Sequence, residues 1–244
     1  MKKKELQVVN SVEEMIEISS TLSGNSKIGF VPTMGYLHEG HLSLVKEAQK
    51  QTEIVIVSIF VNPTQFAPTE DLANYPRSFE RDLKLLEELE VDYVFFPTEA
   101  QMYPADYKTY VNVEEIGTLL CGKTRPIHFR GVSTVVAKLV NITRADFMFM
   151  GKKDFQQIVI LEQMLRDLNF STKIVRCDIV REKDGLAMSS RNSYLSTDER
   201  RKALCLYQSL LLARKLFSEG IRKASVLKPH LKELIEANDG IIDY

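Results

Sequence analysis

Two of the chain's four histidines stand three apart in Pro32-Thr33-Met34-Gly35-Tyr36-Leu37-His38-Glu39-Gly40-His41, directly after the apolar run Ile28 to Val31. A strand that turns through glycine into a helix leaves backbone N–H groups unpaired at the helix start, and these suit a phosphate. Gly35 and Gly40 carry no Cβ, so the chain can turn sharply there and let a polyphosphate approach the backbone. His38 and His41, at i and i+3, are expected to share one helix face and point at the same anion. An imidazole can donate to a phosphate oxygen without a permanent charge, and protonation would strengthen that contact. Two other readings compete. H-x-x-H is also a metal-ligand spacing, but a zinc site needs three or four ligands, and Cys121, Cys177 and Cys205 are far away in sequence while Glu39 lies off the histidine face. The pair can also be read as ordinary surface histidines. The strand-turn-helix context favours phosphate.

The elements that must position this loop follow from apolar periodicity. Ile54 to Val61 is β-branched and apolar apart from Ser58, as a strand buried on both faces should be. Phe79, Leu83, Leu86 and Leu89 mark a helical face, and Tyr93 to Phe96 reads as a strand ended by Pro97. A helix is expected from about Val132 to Ile142, a strand at Phe147 to Met150, a helix through Ile158, Leu161, Leu165 and Leu168, and an extended piece at Lys173 to Cys177. Repeated β-then-α order predicts an α/β fold, a Rossmann-like parallel sheet with helices on both faces.

Ligands of such sheets gather at the carboxyl ends of the strands. The polar clusters obey that rule: His38 and His41 follow the first run, Asn62-Pro63-Thr64-Gln65-Phe66 the second, and Gly151-Lys152-Lys153-Asp154 the strand at 147 to 150. After Asp184-Gly185 the texture changes to the polar loop Met188-Ser189-Ser190-Arg191-Asn192. Ser196-Thr197-Asp198-Glu199 then has the form of a capping box. The helix it starts is expected to reach Gly220, with another from about Ala224 to Asn238. Residues 1–182 and 183–244 therefore read as a larger domain and a small one.

With 32 basic and 33 acidic side chains, the net charge is -1, so bulk charge points to neither a nucleic-acid nor a membrane partner. Three scattered cysteines suit a reducing compartment. The basic start Met1-Lys2-Lys3-Lys4 has the charge of a signal peptide, but no apolar block follows it before Glu13, Glu14 and Glu17. No run approaches the roughly 20 apolar residues of a membrane span. A cytoplasmic protein is expected.

Six motifs carry a resemblance to the pantothenate synthetase family of the nucleotidylyltransferase superfamily: PTMGYLHEGH (32 to 41), FVNPTQF (60 to 66), YPRSFERD (75 to 82), RPIHFRGVSTVV (125 to 136), GKKDFQQ (151 to 157) and DGLAMSSRN (184 to 192). The resemblance implies an ATP-dependent, AMP-forming ligase. Pantoate and ATP would give pantoyl adenylate and pyrophosphate, and β-alanine would then displace AMP to give pantothenate. It also implies magnesium and a homodimer formed through the larger domain.

By that resemblance His41, His38 and Lys153 are the catalytic residues. ATP would meet Met34, Gly40, His41, Gly151, Lys153, Asp154, Val180, Met188, Ser189, Ser190 and Arg191, the last three on a mobile loop of the small domain. Pantoate would meet Gln65 and Gln157 with its polar groups, and Met34 and Phe66 with its gem-dimethyl group. Asn62, Gln65, Arg125 and His128 would line the β-alanine side, and Asp82 would support magnesium. Pantoate's carboxylate is ionised at neutral pH, so the first step needs charge neutralisation rather than a base. The amine of β-alanine must lose a proton, and no dedicated base is assignable, which leaves a phosphate oxygen or water.

Some positions depart from the family pattern. Met150 stands for an aromatic, Ile127 for a glycine and Lys152 for an acidic residue. Family members continue some tens of residues past Ile241-Ile242-Asp243-Tyr244, which reads here as part of a strand, so the small C-terminal α+β domain is expected to be shortened. Two further functions stay open at this point: a dinucleotide-forming adenylyltransferase and a nucleotide-binding protein without turnover.

Overall fold

Valine, isoleucine and phenylalanine concentrate in the runs that pair. The computed structural model describes residues 5–244, so the basic start at 1–4 lies outside the described residues. Strands β1 (Gln7–Val9), β2 (Ile28–Thr33), β3 (Ile54–Ile59), β4 (Tyr93–Phe95), β5 (Phe147–Gly151) and β6 (Lys173–Cys177) form one sheet in the order β1-β4-β3-β2-β5-β6. Every pairing is parallel. The connections run through α1 (Val12–Leu22), α2 (Glu39–Gln51), α3 (Phe79–Glu88), two single-turn helices α4 (Glu99–Met102) and α5 (Cys121–Thr124), α6 (His128–Thr143) and α7 (Phe155–Asp167). The Rossmann-like sheet expected from the β-then-α order is therefore present. Its edge strand β1 and the helix α1 are too short and too polar to stand out in the sequence.

Alternation along the strands assigns each side chain to one of two cores. Ile28 and Phe30 of β2 and Ile56 of β3 join Met15, Val136 and Ile158 on one face. Val31 of β2 with Val55 and Val57 of β3 join Leu44, Val45 and Leu86 on the other. Burying each such side chain fully contributes about 1.5–3 kcal/mol, which is why these strands read as unbroken apolar runs.

One residue decides where the sheet opens. The carbonyl of Ile28 accepts from Asp146 N–H beside β5, whereas that of Thr33 accepts from Phe60 N–H after β3. Backbone groups alternate in direction along a strand, so Ile28, Phe30 and Pro32 turn theirs toward β5. Pro32 has no N–H to give. The β2–β5 ladder ends at Phe30↔Met148, while the β2–β3 ladder continues to Thr33↔Ile59. Strand order also reverses here, since β3 lies on one side of β2 and β5 on the other. The opening thus falls at the topological switch point, at the carboxyl ends of the strands.

The chain divides into two compact units, residues 1–179 and 180–244. The second begins with a hairpin bridged at Arg181↔Ala187, where Met188 N–H donates to Val180 O at 3.0 Å. Its turn needs Gly185, which has φ +101° and would drive a Cβ to 2.2 Å from the Tyr207 ring. The remaining elements are α8 (Thr197–Ala203), α9 (Cys205–Ser218) and α10 (Ala224–Glu236). The capping box is present: Ser196 Oγ accepts from Glu199 N–H, and the Glu199 carboxylate accepts from Ser196 N–H. The single helix expected from Ser196 to Gly220 is instead two. At Leu204 the N–H tightens to Arg201 O, three residues back, and the ladder restarts at Cys205.

Ile241 to Tyr244 are not a strand, and Ile241 is 96% exposed. Asp239 takes φ +59° and Gly240 N–H closes on Ile235 O, which ends the helix and turns the chain away. The β pairing of this unit is the one bridge among the described residues.

Gly131 in α6 packs against the turn after β3, where an added Cβ would lie 2.4 Å from Thr64 O and 2.6 Å from Gln65 Cα. Gly131→Ala should therefore destabilise by about 1–3 kcal/mol in urea unfolding through overpacking of backbone on backbone. A loss below about 0.5 kcal/mol would show that this contact is loose.

Candidate active site

The histidine loop is held from behind. Gly35 (φ +83°) and Tyr36 (φ +50°) both take left-handed backbone, and a Cβ on Gly35 would come within 3.1 Å of Asp82 Oδ2. Asp82, only 1% exposed on the first turn of α3, accepts from Tyr36 N–H at 2.7 Å and from Leu37 N–H at 2.8 Å. Arg81 Nη1 stands 3.6 Å from the same carboxylate. Burial pushes the Asp82 carboxyl above its usual range, against the pull of the two N–H donors. Asp82, expected as a magnesium support, accepts from the loop backbone with both oxygens. Among the described residues no group of three or more His, Cys, Asp or Glu side chains is placed to hold a metal ion. Thr33 adds a second tie, its Oγ1 donating to Ser58 O and accepting from Gly35 N–H.

His38 and His41 do not share a helix face, because the helix starts at Glu39 and His38 is its cap. They meet another way. His38 Nδ1 accepts from Gly40 N–H at 3.1 Å and His41 Nδ1 accepts from His38 N–H at 3.4 Å, a capping box built from two imidazoles. Their rings lie 4.0 Å apart. A ring nitrogen that accepts is unprotonated, so both neutral rings carry their proton on Nε2. Each Nε2–H is then a donor whose direction the backbone fixes. Burial, followed by the nearby charges of His38 and Lys153, pushes the His41 pKa down to about 3. His41 is therefore a neutral ring that presents its Nε2–H.

After β5, the two lysines of Gly151-Lys152-Lys153-Asp154 separate. Lys152 Nζ is 2.6 Å from Asp178 Oδ1, tied to the end of β6. Lys153 is the lysine whose charge His41 feels. Gly151 closes β5, and the exposed Asp154 precedes α7. The adjacent glutamines separate as well. Gln156 donates to Ile116 O and Leu119 O and accepts from Cys121 N–H, so it is structural. The Gln157 side chain makes no hydrogen bond within the chain among the described residues.

After β3, Asn62 is 1% exposed and its polar atoms are committed. Its Oδ1 accepts from Thr64 Oγ1 and Tyr103 OH, and its Nδ2 donates to Gly131 O and to Gln65 Oε1. This turns the Gln65 amide nitrogen toward Met34, whose Sδ lies 3.3 Å away. Gln65 and Met34, both expected at pantoate, are thus brought together. Phe66 is buried beside them with its ring 6.2 Å from that of Tyr75. His128 Nδ1 is 3.0 Å from Gln65 O, and since a carbonyl only accepts, this ring carries its proton on Nδ1. Arg125 is bonded to Glu70. Asn62 is therefore a support for Gln65, and Tyr103, Glu70 and Gly131 are members of the site that local spacing does not reveal.

In the second unit the hairpin makes cross-strand neighbours of Val180 and Met188, both expected at ATP. Ser189 caps the following turn by accepting from Arg191 N–H at 3.3 Å, and Ser190 is buried. Asn192 donates to Glu182 Oε1 and Ala187 O, while Arg200 donates to Glu182 Oε2 and Asp184 Oδ2. The Ser189-Ser190-Arg191 run is therefore followed by residues tied back to the hairpin.

Comparison with known proteins gives the family. The family model for pantoate-beta-alanine ligase matches residues 7–244. The pantothenate synthetase of Pseudothermotoga lettingae is 52% identical over 238 residues, 97% of this chain and 85% of that protein. That of Caldicellulosiruptor saccharolyticus is 55% identical over 229 residues, 93% of this chain and 82% of that protein. The crystal structure of pantothenate synthetase from Thermus thermophilus superposes with a TM-score of 0.90 at 43% identity, covering 95% of this chain and 82% of that one. The pantoate-beta-alanine ligase from Francisella tularensis, complexed with beta-gamma ATP and beta-alanine, gives 0.82 at 36% identity over 94% and 86%.

The depressed pKa of His41 has a consequence for stability. Between its folded value of about 3 and the unfolded value near 6.5, the unfolded chain holds the extra proton, so stability rises with pH and is lost as pH falls through that window. His41→Gln should flatten the stability–pH slope between about pH 4 and 6 by up to roughly 1.4 kcal/mol per pH unit. An unchanged slope in chemical unfolding would remove His41 as a desolvated neutral ring.

Proposed function

The chain belongs to the pantoate-beta-alanine ligase family, and we propose that it condenses pantoate with β-alanine at the expense of ATP, through an enzyme-bound pantoyl adenylate. One observation carries the chemistry of this reading: two Nε2–H donors with fixed direction at the N-terminus of α2, with the Lys153 charge close enough to be felt by His41. These are neutralising groups, and neutralising groups are what the first step requires.

Attack by the pantoate carboxylate oxygen on the α-phosphorus forms the O–P bond of the adenylate and releases pyrophosphate. Negative charge shifts toward the phosphate oxygens and the leaving group, where His38, His41, Lys153 and the α2 dipole stabilise it. The Gln65 amide, oriented by Asn62, and the Gln157 amide bind pantoate's polar oxygens, while Met34 and Phe66 supply apolar surface for its methyl groups. In the second step the β-alanine nitrogen attacks the adenylate carbonyl carbon, the C–O bond to phosphate breaks and AMP leaves. A phosphate oxygen or water takes the amine proton. Gln65 and His128 wall the β-alanine side, with Asn62 behind Gln65 and Arg125 behind His128, bonded to Glu70.

Met34, Gly40, Gly151, Asp154, Val180 and Met188 are proposed along the nucleotide, with Ser189, Ser190 and Arg191 as further phosphate ligands supplied by a lid of residues 183–244. Residues 1–182 form the nucleotide- and pantoate-binding part of this reading. Magnesium would be held by the nucleotide's phosphates, where it would neutralise their charge. The reading also includes a homodimer through the larger domain and a cytoplasmic location. Among the described residues, no helix is long and apolar enough to cross a membrane.

Release of AMP from ATP that depends on both pantoate and β-alanine is the expected outcome of the defining assay. Pyrophosphate without AMP in the presence of all three substrates would point instead to a different acceptor. His41→Ala and Lys153→Ala should each lower turnover at least about a hundredfold, as loss of a transition-state contact of a few kcal/mol does. Near-normal rates in both would overturn the assignment of the phosphate site. Gln157→Ala should chiefly raise the KM for pantoate, and an unchanged value would take Gln157 out of the pocket.

A further inference from the structure

Arg125 and Glu70 are 55 positions apart and meet in a two-pronged ion pair, with Nε donating to Oε1 at 2.9 Å and Nη2 to Oε2 at 2.5 Å. Their side chains are 28% and 20% exposed, so water screens the pair less than it would at the surface. The bidentate geometry is the strong form of such a contact. Arg125 in turn holds Glu70 below the usual carboxylate range.

The pair also has a mechanical position. Glu70 lies on the irregular segment between the turns Pro63–Gln65 and Asp71–Asn74, the segment that carries Phe66. Arg125 lies at the end of α5, three residues before His128, whose N–H donates to Arg125 O. The Gln65–Phe66 wall is thus tied to the body at three successive points. Asn62 holds the Gln65 side chain, His128 Nδ1–H holds the Gln65 carbonyl, and Arg125 holds Glu70 beyond Phe66. A guanidinium already gripped by one carboxylate through two N–H groups is poorly placed to bind a second.

We propose that Glu70 and Arg125 form a positioning clasp for the pantoate pocket: the pair holds the Gln65–Phe66 wall in place, and Arg125 acts through Glu70 rather than as a ligand of β-alanine's carboxylate. This rests on the reading of Gln65 and Phe66 as pantoate contacts.

The test compares the wild-type protein, Glu70→Gln, and the charge-swapped double substitution Glu70→Arg with Arg125→Glu, measuring KM for each substrate from AMP release. Glu70→Gln should raise the pantoate KM about tenfold, with kcat changed less than about threefold and the KM for ATP and β-alanine nearly unchanged. The swap should recover most of that loss. An unchanged pantoate KM in Glu70→Gln overturns the clasp. So does a swapped protein with a recovered pantoate KM but a β-alanine KM raised about tenfold or more, because Arg125 would then touch β-alanine directly. Equal movement of all three constants together with a fallen Tm would mean a general structural role and also overturn it.

Hydrogen exchange of the 66–75 amides gives a readout independent of turnover. It should quicken in Glu70→Gln and slow again in the swap, and unchanged exchange rejects the clasp. Loss of pantoate-dependent AMP release in the wild type, with the exchange result intact, would count against the assigned reaction and leave the mechanical tie standing.

Discussion

The site depends on a backbone N–H that is missing. Pro32 stands in a central strand, on the side that faces β5, and a parallel ladder cannot continue past a residue with no donor. The β2–β5 pairing stops at Phe30, while the β2–β3 pairing runs on to Thr33. One strand of the sheet therefore parts from its neighbour at its carboxyl end, next to the place where strand order reverses. The histidine loop after β2 and the lysine turn after β5 flank this opening. The turn after β3, where pairing continues longest, supplies the Gln65 wall.

Within that opening, backbone bonds and committed side chains decide what each polar atom offers a ligand. The two capping imidazoles accept through Nδ1 and so present Nε2–H. His128 has the opposite tautomer because its partner is a carbonyl. Asn62, itself saturated, makes the Gln65 oxygen an internal acceptor and leaves the amide nitrogen facing Met34. Asp82 holds Tyr36 and Leu37 in the register that places His38 as a helix cap. Donors whose direction is set before substrate arrives need no reorganisation when charge moves onto phosphate, and this is where electrostatic catalysis gains most. Burial keeps His41 neutral.

A good part of this was legible in the sequence. The strands at 28, 54, 93 and 147 stand near where apolar runs place them, because a strand buried on both faces has little choice of composition, and the edge strand at 173 also falls where an extended piece is expected. The three polar clusters fall at carboxyl ends, as a parallel sheet requires, and the capping box at Ser196 forms as written. The same local logic misplaced the histidine pair by one residue: i and i+3 spacing suggests a shared face, whereas His38 is the cap and its ring folds back on the first turn. It also ran one helix through Leu204 and saw a strand in Ile241 to Tyr244, where no neighbouring strand exists among the described residues to make one.

By itself, then, the sequence determined the fold class, the candidate phosphate loop and, through the motifs 32–41 and 184–192, the family. Those properties reside in periodicity and in short contiguous patterns. Only the tertiary structure decided what each polar side chain is tied to: Lys152, Gln156, Asp82 and Arg125 are all committed within the chain. Each tie rests on a contact with a residue distant in sequence, such as Asp178, Leu119, Tyr36 or Glu70. A hydrogen bond is satisfied or left open by what the fold brings beside it, and no local spacing records that.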